Sequence, residues 1–268
     1  MRPDDIAALT AAAHSLESIT LATRISRVMG MPIEKAMAAL PGHWSTVVTK
    51  ITKTALEKAL DAALFSLKPS SRKPSNKVHK ILAGVSGGVG GAFGIAALAV
   101  ELPISATIML RSIADIARSS GEEINDMDTK MACLTVFALA GSGVGKNETA
   151  DTSYYAVRSF LTKALGDATN HIAAHGLAKE SAPPLVKLIN AVASRFSVPV
   201  SEKLAAQTIP AIGLVGGASV NLLFIDHYQK MAIAHFTVRR LERMYGCHYI
   251  KRVYSEIVNA NKQASSEG

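Results

Sequence analysis

Residues 81–100 form a run of twenty residues without a charge, and nothing else in the chain limits its fold so tightly. Twenty is the number an α-helix needs to cross a bilayer. Within the run Gly84 and Gly88, Gly87 and Gly91, and Gly90 and Gly94 are each four residues apart. Small residues at that spacing make a groove on one helix face where a second backbone approaches closely. Glycine costs about 1 kcal/mol relative to alanine in a helix open to water. Such a segment therefore stays helical only against tight packing or lipid. A buried central helix is the simpler account, since a core helix is apolar on all sides.

A second uncharged run covers residues 208–225 and carries Gly213 and Gly217 at the same spacing. Its helical pattern continues through Ala232, Phe236 and Leu241 to Tyr245, with Gly246 as the C-cap. Helices are also expected over about residues 4–28, 44–67, 103–120, 126–140, 149–177, 183–196 and 249–259, with Gly30 and Gly121 as stops. Breaks are expected at Pro41–Gly42, at Glu101 to Pro103 and at Pro199. Aromatic residues are only 5% of a chain that is 49% hydrophobic, which favours helices packed through small residues over a sheet. The expectation is a single all-α domain over residues 1–268: a bundle with two central Gly-rich helices, wrapped by amphipathic helices and ending in a polar tail at 260–268.

The chain carries 29 Lys and Arg against 21 Asp and Glu, a formal charge of +8. Five basic residues, Lys68, Arg72, Lys73, Lys77 and Lys80, fall in residues 68–80 with no acid among them. Such a stretch is ordinarily a solvated linker. Here it directly precedes the longest uncharged run, as in the positive-inside pattern. Each basic side chain near an anionic leaflet is worth about 1 kcal/mol. Anionic membrane lipid is thus the expected partner. No nucleic acid is expected, because aromatics do not interleave with the basic residues and no recognised module is present. Cys133 and Cys247 make neither a CxxC pair nor a disulfide framework, which fits a reducing compartment. Asp4 and Asp5 near the start, with no apolar run after them, give no secretory signal.

Several motifs fail on context. Gly84 to Gly88 matches GxSxG, but that motif needs a strand before it, and this one lies in a helical run. The GSGVGKN at 141–147 lacks the first glycine of a phosphate loop and has Asn147 where Ser or Thr would hold magnesium. Asp167, His171 and His175 share a helix face, but no fourth ligand is near, and a solvated face is the better reading. No metal and no cofactor are expected.

The more informative pattern is a polar stripe. Asn221, Tyr228, His235 and Glu242 recur every seven residues on an apolar helix and lead to Tyr249, with Arg239 between the last two. Polar groups on a buried face are costly unless each is partnered. A second stripe, Arg111, Asp115 and Arg118 with Glu101 ahead of it, lies on the helix after Pro103. The plain reading is a structural network joining two helices; the functional one is a headgroup or substrate site. His235 and Glu242 could form a base and its orienter, but no nucleophile is evident, and the catalytic residues are unknown.

At these residues the chain resembles the EcsC family. The resemblance rests on Gly30 to Ala36 (GMPIEKA) with Leu40 and Pro41, on ELPISATIMLRSIADIARSSGEEI at 101–124 continued by Cys133, Leu134 and Phe137 to Leu139, and on NLLFIDHYQKMAIAHFTVRRLERMYG at 221–246. Residues 147–206 carry the least distinctive part. The motif positions that the resemblance implies are Glu101, Pro103, Arg111, Asp115, Gly121, Asn221, Tyr228, His235, Arg239, Arg240, Leu241, Glu242 and Gly246, whose polar members agree with the two stripes. The resemblance implies a helical protein, often without a signal peptide, with an ABC-type exporter as a candidate integral-membrane partner; it implies no reaction. The expected function is association with the cytoplasmic leaflet of the inner membrane, peripheral or partly inserted, binding lipid or a membrane-protein partner. The alternatives are a lipid-directed enzyme using His235, Glu242, Arg111 and Asp115, and a toxin-like bundle that inserts on demand.

Overall fold

The computed structural model describes residues 1–17, 20–30, 33–38, 40–66, 94–140, 153–175, 183–207 and 213–266. Among them are ten helices and no strand: α1 (Pro3–Glu17), α2 (Leu21–Met29), α3 (Ile33–Ala38), α4 (Trp44–Ser66), α5 (Gly94–Ser119), α6 (Met127–Leu139), α7 (Ser153–His175), α8 (Pro183–Gln207), α9 (Gly213–Tyr245) and α10 (Cys247–Ser266). The basic residues Lys68, Arg72, Lys73, Lys77 and Lys80, and Gly84, Gly87, Gly88 and Gly91, lie outside the described residues. Gly94 opens α5, Gly213 opens α9, and Gly217 lies in the first turns of α9.

The architecture is all-α, as the small-residue composition implies. The 33-residue α9 is roughly 50 Å long at 1.5 Å per residue, and α1, α2, α5, α6, α8 and α10 pack around it. Its buried row of Phe224, Tyr228, Ala232, Phe236 and Leu241 follows the helical repeat. Phe137 of α6 and Phe196 of α8 meet edge to face at 4.8 Å, and both rings lie 5.5 Å from the Tyr228 ring. This aromatic knot joins three helices at the middle of α9. The other long packing face runs where α4 lies along α5 and α8.

Several helix boundaries differ from the sequence expectation, among them the last helix, which runs on to Ser266 through most of the expected polar tail. The first helix is two, because Thr20 turns extended and its side-chain oxygen accepts from the Thr23 N–H at 3.1 Å, capping α2. Gly30 then closes α2 at φ 67°, as expected. Glu101 to Pro103 is not a break: α5 runs through Pro103 to Ser119. Leu98, Leu102, Ala106 and Met109 form one buried stripe across the proline, and packing of that stripe outweighs the lost backbone hydrogen bond of about 3 kcal/mol. Pro199 is likewise inside α8, whose buried stripe of Phe196, Val200 and Leu204 runs past it. The C-terminal helix starts directly after Gly246, which takes φ 90° and donates its N–H to the Glu242 carbonyl at 2.9 Å.

Candidate functional site

The polar residues of α9 share one side of the helix, and the structure divides them among different neighbours. Towards its start, Asn221 Oδ1 accepts from Lys203 Nζ of α8 at 2.8 Å, and Lys203 also pairs with Glu101 of α5. Lys203 is fully buried, with its ammonium 5.0 Å from the centre of the Phe224 ring. Burial pushes the Lys203 pKa down and Glu101 opposes that shift. In the middle, the Tyr228 hydroxyl is buried with no hydrogen-bond partner among the described residues. Its neighbour His227 meets the Ala140 carbonyl through Nε2 at 3.3 Å; burial holds its pKa near about 4, so the ring is neutral.

Towards its end, α9 meets α7. The Tyr154 hydroxyl lies 3.0 Å from His235 Nδ1 and accepts from Arg158 Nη1 at 3.1 Å. Arg158 then forks onto Glu242, with Nη1 to Oε1 at 2.7 Å and Nη2 to Oε2 at 3.0 Å. The Tyr155 hydroxyl donates to the same Glu242 Oε1 at 3.0 Å. Glu242 thus orients Arg158 and Tyr155, while the Nδ1 of His235 is held by Tyr154. The start of α7 is set by Glu17 of α1. Its carboxylate accepts from the Ser153 N–H and hydroxyl at 3.1 and 2.6 Å, from the Tyr154 N–H at 3.1 Å, and from the Tyr254 hydroxyl of α10 at 3.0 Å.

The His235 tautomer follows from this network. Tyr154 accepts from Arg158, and its own proton has no acceptor other than His235 Nδ1 among the described residues, so it is assigned to Nδ1. Nδ1 then carries no proton, and Nε2 carries it. Burial, with the Arg158 and Arg239 guanidinia nearby, holds the His235 pKa well below the ordinary histidine range, so the ring stays neutral. Nε2 is buried and has no hydrogen-bond partner among the described residues. An unpaired buried donor costs about 1–3 kcal/mol.

Arg239, one turn further along α9, is held by the acidic turn after α5. Gly121 at φ 80° turns the chain. Glu122 then accepts from Arg239 Nε and Nη2 at 3.0 and 3.1 Å, and also from Arg243. Asp128 of α6 accepts from Arg239 Nη2 at 2.8 Å. Burial raises the Glu122 pKa, but the hydrogen bonds from Arg239 and Arg243 outweigh it and hold the carboxyl below its usual range.

Between α6, α7 and α9 lies a cavity of about 360 Å3, within the range of about 300–1,000 Å3 typical of small-molecule sites. His235, Arg158 and Arg239 line it on the polar side; Met131, Ala132 and Leu165 line it with apolar surface. Elsewhere, Asp115 pairs with Arg118 within α5 at 3.0 Å, and Arg111 is exposed on the same helix. Near them α5 and α9 are joined by Gln229, which donates to the Ser112 hydroxyl at 2.8 Å. His171 and His175 stack on each other at 4.7 Å, and the described residues contain no metal-binding group of three His, Cys, Asp or Glu.

The profile of the EcsC protein family matches residues 4–241. The chain belongs to that family. No curated protein and no solved structure matches it. The EcsC match runs from α1 almost to the end of α9, and it stops at Leu241. Glu242 and Tyr254, which complete the network around α7, lie just beyond it. Among the partners that the sequence did not suggest are Tyr154, Tyr155, Arg158 and Lys203, all between residues 147 and 206, where the resemblance to EcsC proteins is least distinctive. Lys203 did leave a signal: it sits three and seven residues after Val200 and Phe196 on an apolar stripe, as Glu101 sits on another. Tyr154 and Arg158 left only their spacing of four.

Proposed function

We propose that this EcsC-family protein docks on the anionic cytoplasmic leaflet of a membrane and there binds lipid or an integral-membrane partner such as an exporter. The observation that carries the reading is the exposed apolar pair at the start of α5. Val100 is 68% and Ile104 51% exposed, one turn apart. They stand at the end of the uncharged run 81–100, which itself follows the five basic residues of 68–80. A basic stretch supplies attraction to lipid phosphates, and an exposed aliphatic pair supplies a hydrophobic term next to it. No helix among the described residues is long and apolar enough to cross a membrane, and the proposed mode is docking.

Co-sedimentation with vesicles tests this. In 0.1 M salt, where charges act over about 10 Å, the protein is expected on phosphatidylglycerol vesicles and not on phosphatidylcholine. In 1 M salt, where the length falls to about 3 Å, it is expected to come off. Changing Lys68, Arg72, Lys73, Lys77 and Lys80 to Ser is expected to abolish binding in both. Retention through the high-salt wash would replace docking with insertion of residues 81–100. Equal binding to both vesicles would refute the electrostatic part.

A further inference from the structure

Besides His235, Arg158 and Arg239, the cavity between α6, α7 and α9 carries Thr135, Thr162, Thr169 and Asn170, which both donate and accept. His235 lines it and is only 1% exposed, yet its Nε2–H meets no acceptor among the described residues. Arg239 uses Nε and Nη2 on Glu122 and Asp128, and Nη1 makes no hydrogen bond among the described residues. Arg158 uses Nη1 and Nη2 on Tyr154 and Glu242, and none uses Nε. The carboxylate on the cavity wall, Asp128, is already held by Arg239. A cation entering this space would meet two guanidinia and a carboxylate already held by Arg239, whereas an oxyanion would meet those guanidinia and a buried imidazole nitrogen that has no partner among the described residues.

A second observation comes from α7. Gly166 lies inside this helix and lines the cavity, and a Cβ placed there would meet nothing within 4 Å. Alanine is the better helix former at such a position. Gly166 is exposed, so the glycine costs helix stability and keeps the rim of the cavity free of a side chain.

We infer that this cavity binds a small amphiphile bearing an oxyanion, a phosphate or carboxylate whose oxygen accepts from His235 Nε2–H and Arg239, with its hydrocarbon part against Met131 and Leu165. The surrounding charges balance: Arg158, Arg239 and Arg243 stand against Glu122, Asp128 and Glu242. The protein therefore does not repel an incoming anion, and the partly exposed Arg158 and Arg239 receive it with charge-assisted hydrogen bonds. A lipid headgroup and a soluble phosphate ester share this chemistry. The inference stands apart from membrane docking, which concerns other residues.

Isothermal titration of the full chain with hexyl phosphate, n-hexanol, inorganic phosphate and dihexanoylphosphatidic acid tests it, with the histidine 15N–1H spectrum as a second readout. Hexyl phosphate is expected to bind and to shift the His235 Nε2–H signal, with hexanol weaker by about tenfold or more. Gly166→Leu, which fills the cavity from a helix that loses a glycine, is expected to fold with an unchanged or higher Tm and to bind about tenfold or more weakly. His235→Gln, which can keep an N–H donor near Nε2, is expected to bind more tightly than His235→Phe. Displacement of hexyl phosphate by dihexanoylphosphatidic acid would assign the site to lipid headgroups; binding of the single-chain ester alone would assign it to soluble esters. The inference fails if hexanol binds as tightly as hexyl phosphate, if no phosphate binds, or if folded Gly166→Leu binds as the wild type does.

Discussion

The two ends of α9 both bury charge, and they bury it for different purposes. Near its start Glu101, Lys203 and Asn221 close on one another: the ammonium is spent on a carboxylate and an amide oxygen, and its remaining face rests on Phe224. Near its end Arg158, Glu242, Tyr154 and His235 are as closely bonded, but the chain of bonds stops at a buried histidine Nε2 that has no partner among the described residues, on a ring that lines a cavity. Buried polarity alone therefore does not mark a site. A network that satisfies itself is architecture, and one that ends in an unused donor over open space is a place for a ligand.

Four substitutions sharpen or break that contrast. The largest effect is expected at the closed end. Lys203→Ala leaves Glu101 buried without its partner and should cost about 3–5 kcal/mol, measured by urea denaturation. The pair Lys203→Met with Glu101→Leu should recover most of that loss. A Lys203→Ala protein as stable as wild type would show that the closed end is not structural.

At the open end the loads are shared and the costs smaller. Glu122→Gln should cost about 1.5–3 kcal/mol at pH 7, the usual range for hydrogen bonds to a charged group. The Glu122 carboxyl is held below its ordinary value of 4.5 in the fold. Its contribution is therefore fully present above about pH 4.5 and disappears as pH falls through the lower folded value. Wild type and variant should accordingly converge in stability as the solution is acidified; a gap that stays constant to pH 3 would show that charge is not what Arg239 and Arg243 read. Tyr155→Phe removes one donor from Glu242 while Arg158 keeps its fork, so about 0.5–1.5 kcal/mol is expected from the same titration. The smallest effect has the opposite sign: Gly166→Ala should gain about 0.5–1 kcal/mol. A loss there would mean that the cavity wall is tighter than its geometry indicates.

The fold was more legible in the chain than the site. Gly30 and Gly246 end helices where the sequence places them, because a left-handed residue at a helix end is a local requirement. Pro103 and Pro199 misled for the complementary reason: a proline's penalty is local, but the buried stripes of Leu98 to Met109 and Phe196 to Leu204 are tertiary and outweigh it. In the site, the row on α9 stood out because polar residues on an apolar helix break the pattern. Its partners did not stand out. Tyr154, Tyr155 and Arg158 lie on an α7 of mixed polarity, where a polar side chain is unremarked until a neighbour is known.

The cap that Glu17 places on α7 has a consequence for the order in which the molecule is made. That one carboxylate holds Ser153 and Tyr154, 136 and 137 residues downstream, and Tyr254, 237 residues downstream. At about 5–20 residues per second of synthesis, α10 emerges several seconds or more after α7. During that interval the nascent α7 lacks both Tyr254 and the Glu242 anchor, so the wall bearing Arg158 cannot yet be set. The pocket wall, like the aromatic knot on α9, is therefore completed only after α1 to α8 have been made.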